Sequence, residues 1–160
     1  MTLRILVMLM AAAWFSQLAA QTATPPPAGA PDKSPAADTA NMPTLQDDKD
    51  TIAASEKWLK LLDTGKVGAA WDVSSAYLKS VVTRQKWVEG IGRARKPFGK
   101  FSTRTAGKFA RAHTLPEAPD GDYAILEFDS VYANGKRATE QVIWMLESGD
   151  TWRVAGYYIR

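Results

Sequence analysis

The chain contains no cysteine. That absence excludes disulfides, thiolate metal ligands, a cysteine nucleophile and a lipid-modified N-terminal cysteine. It contains one histidine, His113, which excludes a multi-histidine metal site. An all-carboxylate site lacks a recognisable loop motif here. No cofactor is implied. Charge is scarce at the N-terminus, where Arg4 is the only charged residue in the first 31. Long hydrophobic runs are scarce too. Ile5 to Phe15 is apolar but falls short of the ~20 residues a membrane-spanning helix needs. A lone cation, a short apolar run and Leu18-Ala19-Ala20 before Gln21 read as a signal peptide over residues 1–20. An uncleaved anchor or a buried helix is the competing reading of the same stretch. The expected location is periplasmic or secreted, with no stable membrane span after cleavage.

Residues 21–46 are rich in proline and alanine (Pro25, Pro26, Pro27, Pro31, Pro35 and Pro43). Such a segment cannot bury a core, so a solvated, disordered linker is expected. Residues 47–160 then form a single domain, long enough for one core, and no internal repeat is visible. From Thr51 to Arg160 there are 17 Lys or Arg against 12 Asp or Glu, a net of +5. The excess lies between Arg84 and Arg111, where Glu89 is the only acid. A nucleic-acid surface is one reading of that excess, but an export signal argues against it. A polyanionic envelope component fits better, and a solvated basic face with no specific ligand fits best.

Helical spacing predicts a first helix over about Asp48 to Thr64, with Ile52, Ser55, Leu59 and Leu62 on one stripe, Trp58 beside it and Gly65 as its stop. A second is predicted over Lys66 to Lys79, and a third over Arg84 to Arg95, capped by Thr83 and ended before Pro97. Strands are predicted at about Phe101–Ala112, Asp122–Tyr132, Lys136–Glu147 and Thr151–Arg160. Helices followed by an antiparallel sheet give an α+β class.

The turns suggest a register. Asn134-Gly135, read as a two-residue type I′ loop, pairs Ala133 with Lys136. Asp129 then faces Glu140, Glu127 faces Val142, Ile125 faces Trp144 and Tyr123 faces Leu146. A three-residue loop at Ser148 to Asp150 pairs Leu146 with Trp152 and Trp144 with Val154. Continued without interruption, it pairs Val142 with Gly156 and Glu140 with Tyr158. Strict alternation puts Tyr123, Ile125, Trp144, Leu146, Trp152 and Val154 on a helix-covered face. The other end of that face gathers Glu127, Asp129, Glu140 and Tyr158, with Arg95 and Arg104 as charge partners. These six are the candidate pocket residues. The same charges can instead form a structural ion-pair cluster fixing the third helix to the sheet, which is the favoured reading. The opposite face (Ala124, Leu126, Phe128, Gln141, Ile143, Met145, Ala155, Tyr157 and Ile159) is too apolar for open solvent. A partner subunit in a homodimer or a sheet bent around a helix would cover it. Trp58, Trp71 and Trp87 fall on apolar stripes and read as core.

Several pieces together resemble a family of small exported bacterial proteins known as a domain of unknown function. They are Trp58-Leu59 with Asp63 and Gly65, Trp71, Val82-Thr83 with Trp87, Arg95-Lys96-Pro97-Phe98-Gly99 with Arg104, and Trp152 through Ile159. The resemblance covers about Ala53 to Arg160 and implies no activity and no catalytic residue. The element order is also similar to NTF2-like and cystatin-like cones, in which helices and a curved four-stranded sheet enclose a pocket. That is an analogy of shape and transfers no chemistry.

Three functions are therefore open. One is a non-catalytic envelope module that binds a small ligand or a protein, with no nucleic acid as partner. Ser74, Ser75 and Ser80 have no base beside them in sequence, which favours this reading. Another is a carboxylate enzyme in which Asp129 and Glu140 share a proton and Tyr158 donates to an oxyanion. The third is a structural dimerisation domain.

Overall fold

The computed structural model describes residues 48–148 and 150–160, which belong to one compact unit. The expected signal peptide and proline-rich linker lie outside the described residues. The order is α1 (Asp48–Asp63), α2 (Val67–Asp72), α3 (Ala76–Val81), α4 (Arg84–Arg95), β1 (Phe101–Ala112), β2 (Tyr123–Tyr132), β3 (Arg137–Glu147) and β4 (Thr151–Ile159). The class is α+β. The sheet is antiparallel, in the order β1-β2-β3-β4, and is not closed. No helix among the described residues is long and apolar enough to cross a membrane.

α1 buries Thr51, Ser55, Trp58, Leu59 and Leu62, a stripe at helical spacing. It ends in a Schellman turn. Lys66 N–H donates to Leu61 O and Gly65 N–H to Leu62 O, with Gly65 at φ +75°, a conformation that glycine adopts without a Cβ penalty. The expected second helix is two short ones. Ser74 Oγ donates back to Ala70 O, and Ser75 Oγ accepts from Leu78 N–H as the cap of α3. Ser75 N–H also donates to Val154 O on the sheet. Serine side chains compete for the backbone in this way, which breaks the helix and docks the new one on β4.

The first hairpin corrects the expected register. Tyr132 N–H donates to Lys136 O and Gly135 N–H to Tyr132 O, so the loop is Ala133-Asn134-Gly135. Gly135 has φ +79°, whereas Asn134 is not in the positive-φ region. This is the three-residue loop with a glycine bulge, not the two-residue type I′ loop. The pairing slips by one residue: Phe128 faces Glu140, Asp129 faces Thr139, Glu127 faces Gln141, Ile125 faces Ile143 and Tyr123 faces Met145. A one-residue slip turns every side chain of one strand to the other face: the β3 residues Val142 and Trp144 stay on the expected side, and the β2 residues exchange.

The second hairpin keeps the expected pairs Leu146 with Trp152 and Trp144 with Val154. The ladder then shifts, with Ile143 facing Gly156, so Ala155 is an extra residue. Beyond this bulge Val142 faces Tyr157 and Glu140 faces Ile159, not Gly156 and Tyr158. The bulge turns Tyr157 toward the helices.

The helix-covered face therefore carries Ala124, Leu126, Phe128, Val142, Trp144, Val154 and Tyr157, which form one core with Trp58, Leu59, Leu62, Leu78, Trp87 and Ile91. Four of these, Ala124, Leu126, Phe128 and Tyr157, belong to the face expected to be covered by a partner subunit or by a sheet bent around a helix; here they pack against the helices. The opposite face holds a smaller cluster of Tyr123, Met145 and Ala155, covered by Tyr77, Leu115 and Ala118. Four indole N–H groups are satisfied across elements: Trp58 to Ala70 O, Trp71 to Val82 O, Trp87 to Val67 O, and Trp144 to Ser55 Oγ. Each indole thus contributes apolar area and a fixed orientation.

Candidate functional site

Four charged side chains meet where α1, α4 and the helix-facing side of the sheet converge. Asp63 is the last residue of α1 and Arg95 the last of α4. Arg104 lies on β1 opposite Ser130, and Glu140 lies on β3 opposite Phe128. β-bulges flank the middle of β1, between Phe101 and Thr103 and between Ala106 and Phe109. Alternation places Arg104, Ser130 and Glu140 on one face.

The contacts form a closed ring. Arg95 binds Glu140 Oε1 through Nη1 at 2.5 Å and Asp63 Oδ1 through Nη2 at 2.5 Å. Arg104 binds Asp63 Oδ2 through Nη1 at 2.9 Å and Glu140 Oε2 through Nη2 at 2.9 Å. Each guanidinium fork thus bridges both carboxylates, the geometry that arginine supplies and lysine does not. Glu140 accepts two further hydrogen bonds, from Ser130 Oγ at 2.5 Å and from Tyr157 Oη at 2.6 Å. Tyr157 Oη in turn accepts from Arg95 Nη1 at 2.9 Å. The Glu140 side chain has no exposed surface, and those of Asp63, Arg95 and Arg104 are 9%, 11% and 6% exposed. Two cations balance two anions, and aromatic rings wall the site. The Arg104 guanidinium lies 4.1 Å from the Phe101 ring centre and that of Arg95 5.8 Å from Tyr132.

The electrostatics follow from that geometry. Burial pushes the Glu140 carboxyl up, but Arg95, Arg104 and the hydrogen bonds from Ser130 and Tyr157 outweigh it and hold the group below its usual value. Burial likewise disfavours the Arg95 cation, yet the surrounding Tyr157, Glu140, Tyr132 and Asp63 leave it protonated far above the usual range. Tyr157 and Tyr132 are both pushed up, first by burial and then by the Glu140 charge, so both stay neutral phenols. Asp63 sits at a helix C-terminus, where the dipole disfavours an anion; its two guanidinium partners offset that cost.

Of the six residues expected at a pocket, Arg95, Arg104 and Glu140 come together. Glu127, Asp129 and Tyr158 lie on the opposite sheet face. Glu127 is buried there and accepts from Arg160 Nη2 at 2.7 Å, while Gln141 Nε2 reaches it at 3.4 Å. Asp129 is exposed opposite Thr105 and Thr139. Tyr158 faces Gln141, and burial raises its hydroxyl pKa. Asp63, Ser130 and Tyr157 belong to the network but were not expected there. Asp63 had one signal: an acid in the last turn of a helix, against the dipole, needs a cationic partner. Tyr157 had none, because a bulge decides its face.

Chemically, the Glu140 carboxylate is saturated, although Arg104 Nε is buried without a hydrogen-bond partner. Both Glu140 oxygens carry two donors, so the carboxylate is held as an anion and is not poised to take up a proton. The open concavity near this end of the sheet is a groove of about 310 Å³ lined by Asp129, Ser130, Arg137, Ala138, Thr139 and Arg160. Among the described residues no group of three or more His, Cys, Asp or Glu is placed to hold a metal ion.

No curated protein and no solved structure matches the chain. A family model matches residues 54–157, from within α1 to the tyrosine that binds Glu140, and so spans all four charges of the ring. By that match the chain belongs to the family described as protein of unknown function (DUF4019).

Proposed function

We propose that the protein is a non-catalytic exported module of the bacterial envelope that binds a small ligand or a protein partner. The observation that carries the reading is the closed ring. The fully buried Glu140 carboxylate is neutralised by two guanidinium groups and saturated by Ser130 and Tyr157. A general acid or base needs a pKa near the working pH and an open hydrogen-bond position; Glu140 has neither. The carboxylate-enzyme alternative needs Asp129 beside Glu140, and the register separates them. The ring instead fastens α1 and α4 to β1 and β3, making a rigid body. An NTF2-like arrangement of helices over a curved sheet accords with the element order. Its interior is filled by Trp58, Trp87 and Tyr157, so a ligand would sit at the surface, and the groove between Asp129, Thr139 and Arg160, next to the ring, is the place we assign to it. Charges of both signs line that groove, suiting a polar partner. The apolar run after Arg4 and the Ala19-Ala20-Gln21 step support export to the periplasm or beyond.

The test is site-specific photo-crosslinking of the full chain in its native host, from Thr139 in the groove and from Lys57 on the exposed side of α1. A discrete adduct from Thr139 and none from Lys57 is expected. No adduct from Thr139 would overturn the binding reading. A turnover lost in Glu140→Gln at unchanged melting temperature would restore the enzyme.

A further inference from the structure

The basic excess between Arg84 and Arg111 divides in the folded chain. Arg95 and Arg104 are consumed by the buried ring. Arg84 is paired with Asp72, and the Arg111 guanidinium lies over Phe109 and Trp152. Three of the other cations, Arg93, Lys96 and Lys100, gain neighbours from a distant part of the sequence. The turn from α4 to β1 and the tip of the β2–β3 hairpin are joined by Ala133 N–H donating to Lys100 O at 2.8 Å and Lys136 Nζ donating to Pro97 O at 2.7 Å. Phe98 packs on Tyr132 with ring centres 5.2 Å apart. The junction brings Arg93, Lys96, Lys100, Lys136 and Arg137 to one end of the domain, all five exposed. Neither segment, 93–101 or 132–138, contains an Asp or Glu.

We propose that this basic end docks the domain on an anionic phospholipid surface. Three features select that partner. Lys96, Lys100 and Lys136 stand on two locked turns, flanked by Arg93 at the end of α4 and Arg137 at the start of β3, rather than on a mobile tail, so their spacing is preset. They surround no enclosed cavity, which suits an extended array of phosphates better than one small anion. The nearby aromatic rings are stacked on each other or beneath the buried guanidiniums and are not free to stack on bases, as single-stranded nucleic acid requires. The contact goes beyond the proposed binding of a ligand or partner in the groove and does not depend on it.

The experiment is co-sedimentation of the full chain with vesicles of phosphatidylglycerol and phosphatidylcholine, and with phosphatidylcholine alone, at low and high salt. Two double variants change the charge equally: Lys96→Glu with Lys100→Glu at the basic end, and Lys57→Glu with Lys86→Glu away from it. Each basic residue near an anionic surface strengthens binding about fivefold, so the first pair should weaken binding to the anionic vesicles at least about twentyfold. The second pair should keep most of it, and both should keep the parent melting temperature. If the first pair melts early, Lys96→Gln with Lys100→Gln takes its place, with a smaller loss expected. The apolar N-terminal run is common to all forms and cancels in the comparison. Equal losses in the two pairs, undiminished binding by the first, or equal binding to both vesicle types would overturn the proposal. So would full competition by free inorganic phosphate at the concentration of lipid phosphate.

Discussion

Replacing Glu140 by Gln keeps the shape of a fully buried side chain and removes its charge. Four donors converge on the two carboxylate oxygens: Arg95, Tyr157, Ser130 and Arg104. The amide keeps one oxygen and turns an NH2 group toward two of those donors. Asp63 is left to balance two guanidinium groups alone. Breaking a buried ion pair by removing one partner costs about 3–5 kcal/mol, a large share of the ~5–15 kcal/mol that holds a domain together. For a domain of this size that is a fall in Tm of roughly 12–20 °C. Urea unfolding followed by tryptophan fluorescence, with calorimetry beside it, reads the change. The acid limb of the stability profile supplies a second signature. The folded Glu140 pKa lies below the usual 4.5. Its contribution is therefore complete above about pH 4.5 and is lost as pH falls through the folded value. Glu140→Gln should flatten that limb. A loss below about 1 kcal/mol with the acid limb unchanged would refute the structural role of the ring.

Tyr157→Phe removes a hydrogen bond to a charged acceptor and should cost about 1.5–3 kcal/mol at neutral pH. Because the folded Tyr157 pKa is raised, the parent loses stability as pH climbs above 10, and the gap to the Phe variant should narrow there; a gap that widens contradicts the assignment. Ser55→Ala orphans the Trp144 indole N–H across 89 residues of sequence and should cost about 1–3 kcal/mol in urea unfolding, whereas a neutral result means that α1 is not held there. Gly65→Ala meets no atom within 4 Å, so its cost should be the backbone term alone, about 1–2 kcal/mol. A much larger value would mean that the α1 terminus differs from the Schellman turn.

Elements were legible in the sequence, whereas faces were not. α4 runs over the expected Arg84–Arg95 because Thr83, the Trp87 and Ile91 spacing and Pro97 all agree. The second hairpin pairs as read only as far as Trp144 with Val154, before the bulge. Asn134-Gly135 is different, since the dipeptide suits a two-residue loop or the end of a three-residue one, and the two differ by the single residue that exchanges the faces. Ala155 carries no mark of the bulge that selects Tyr157 over Tyr158. Ser74 and Ser75 lay inside the helix expected over Lys66 to Lys79, and the hydrogen bond from Ser75 N–H to Val154 O at the break is a tertiary contact. Arg95, Arg104 and Glu140 were nonetheless grouped, because buried charges need partners and few arginines lay close enough to supply them.

The most direct test of the ring as a structural element is a carbon NMR titration of the Glu140 carboxyl in the folded chain. The account predicts a single transition below the ordinary 4.5, coincident with acid unfolding, since two guanidinium groups and two hydroxyls all favour the anion. A transition above 4.5 in a protein that remains folded would show a carboxyl free to exchange protons, and would contradict the account.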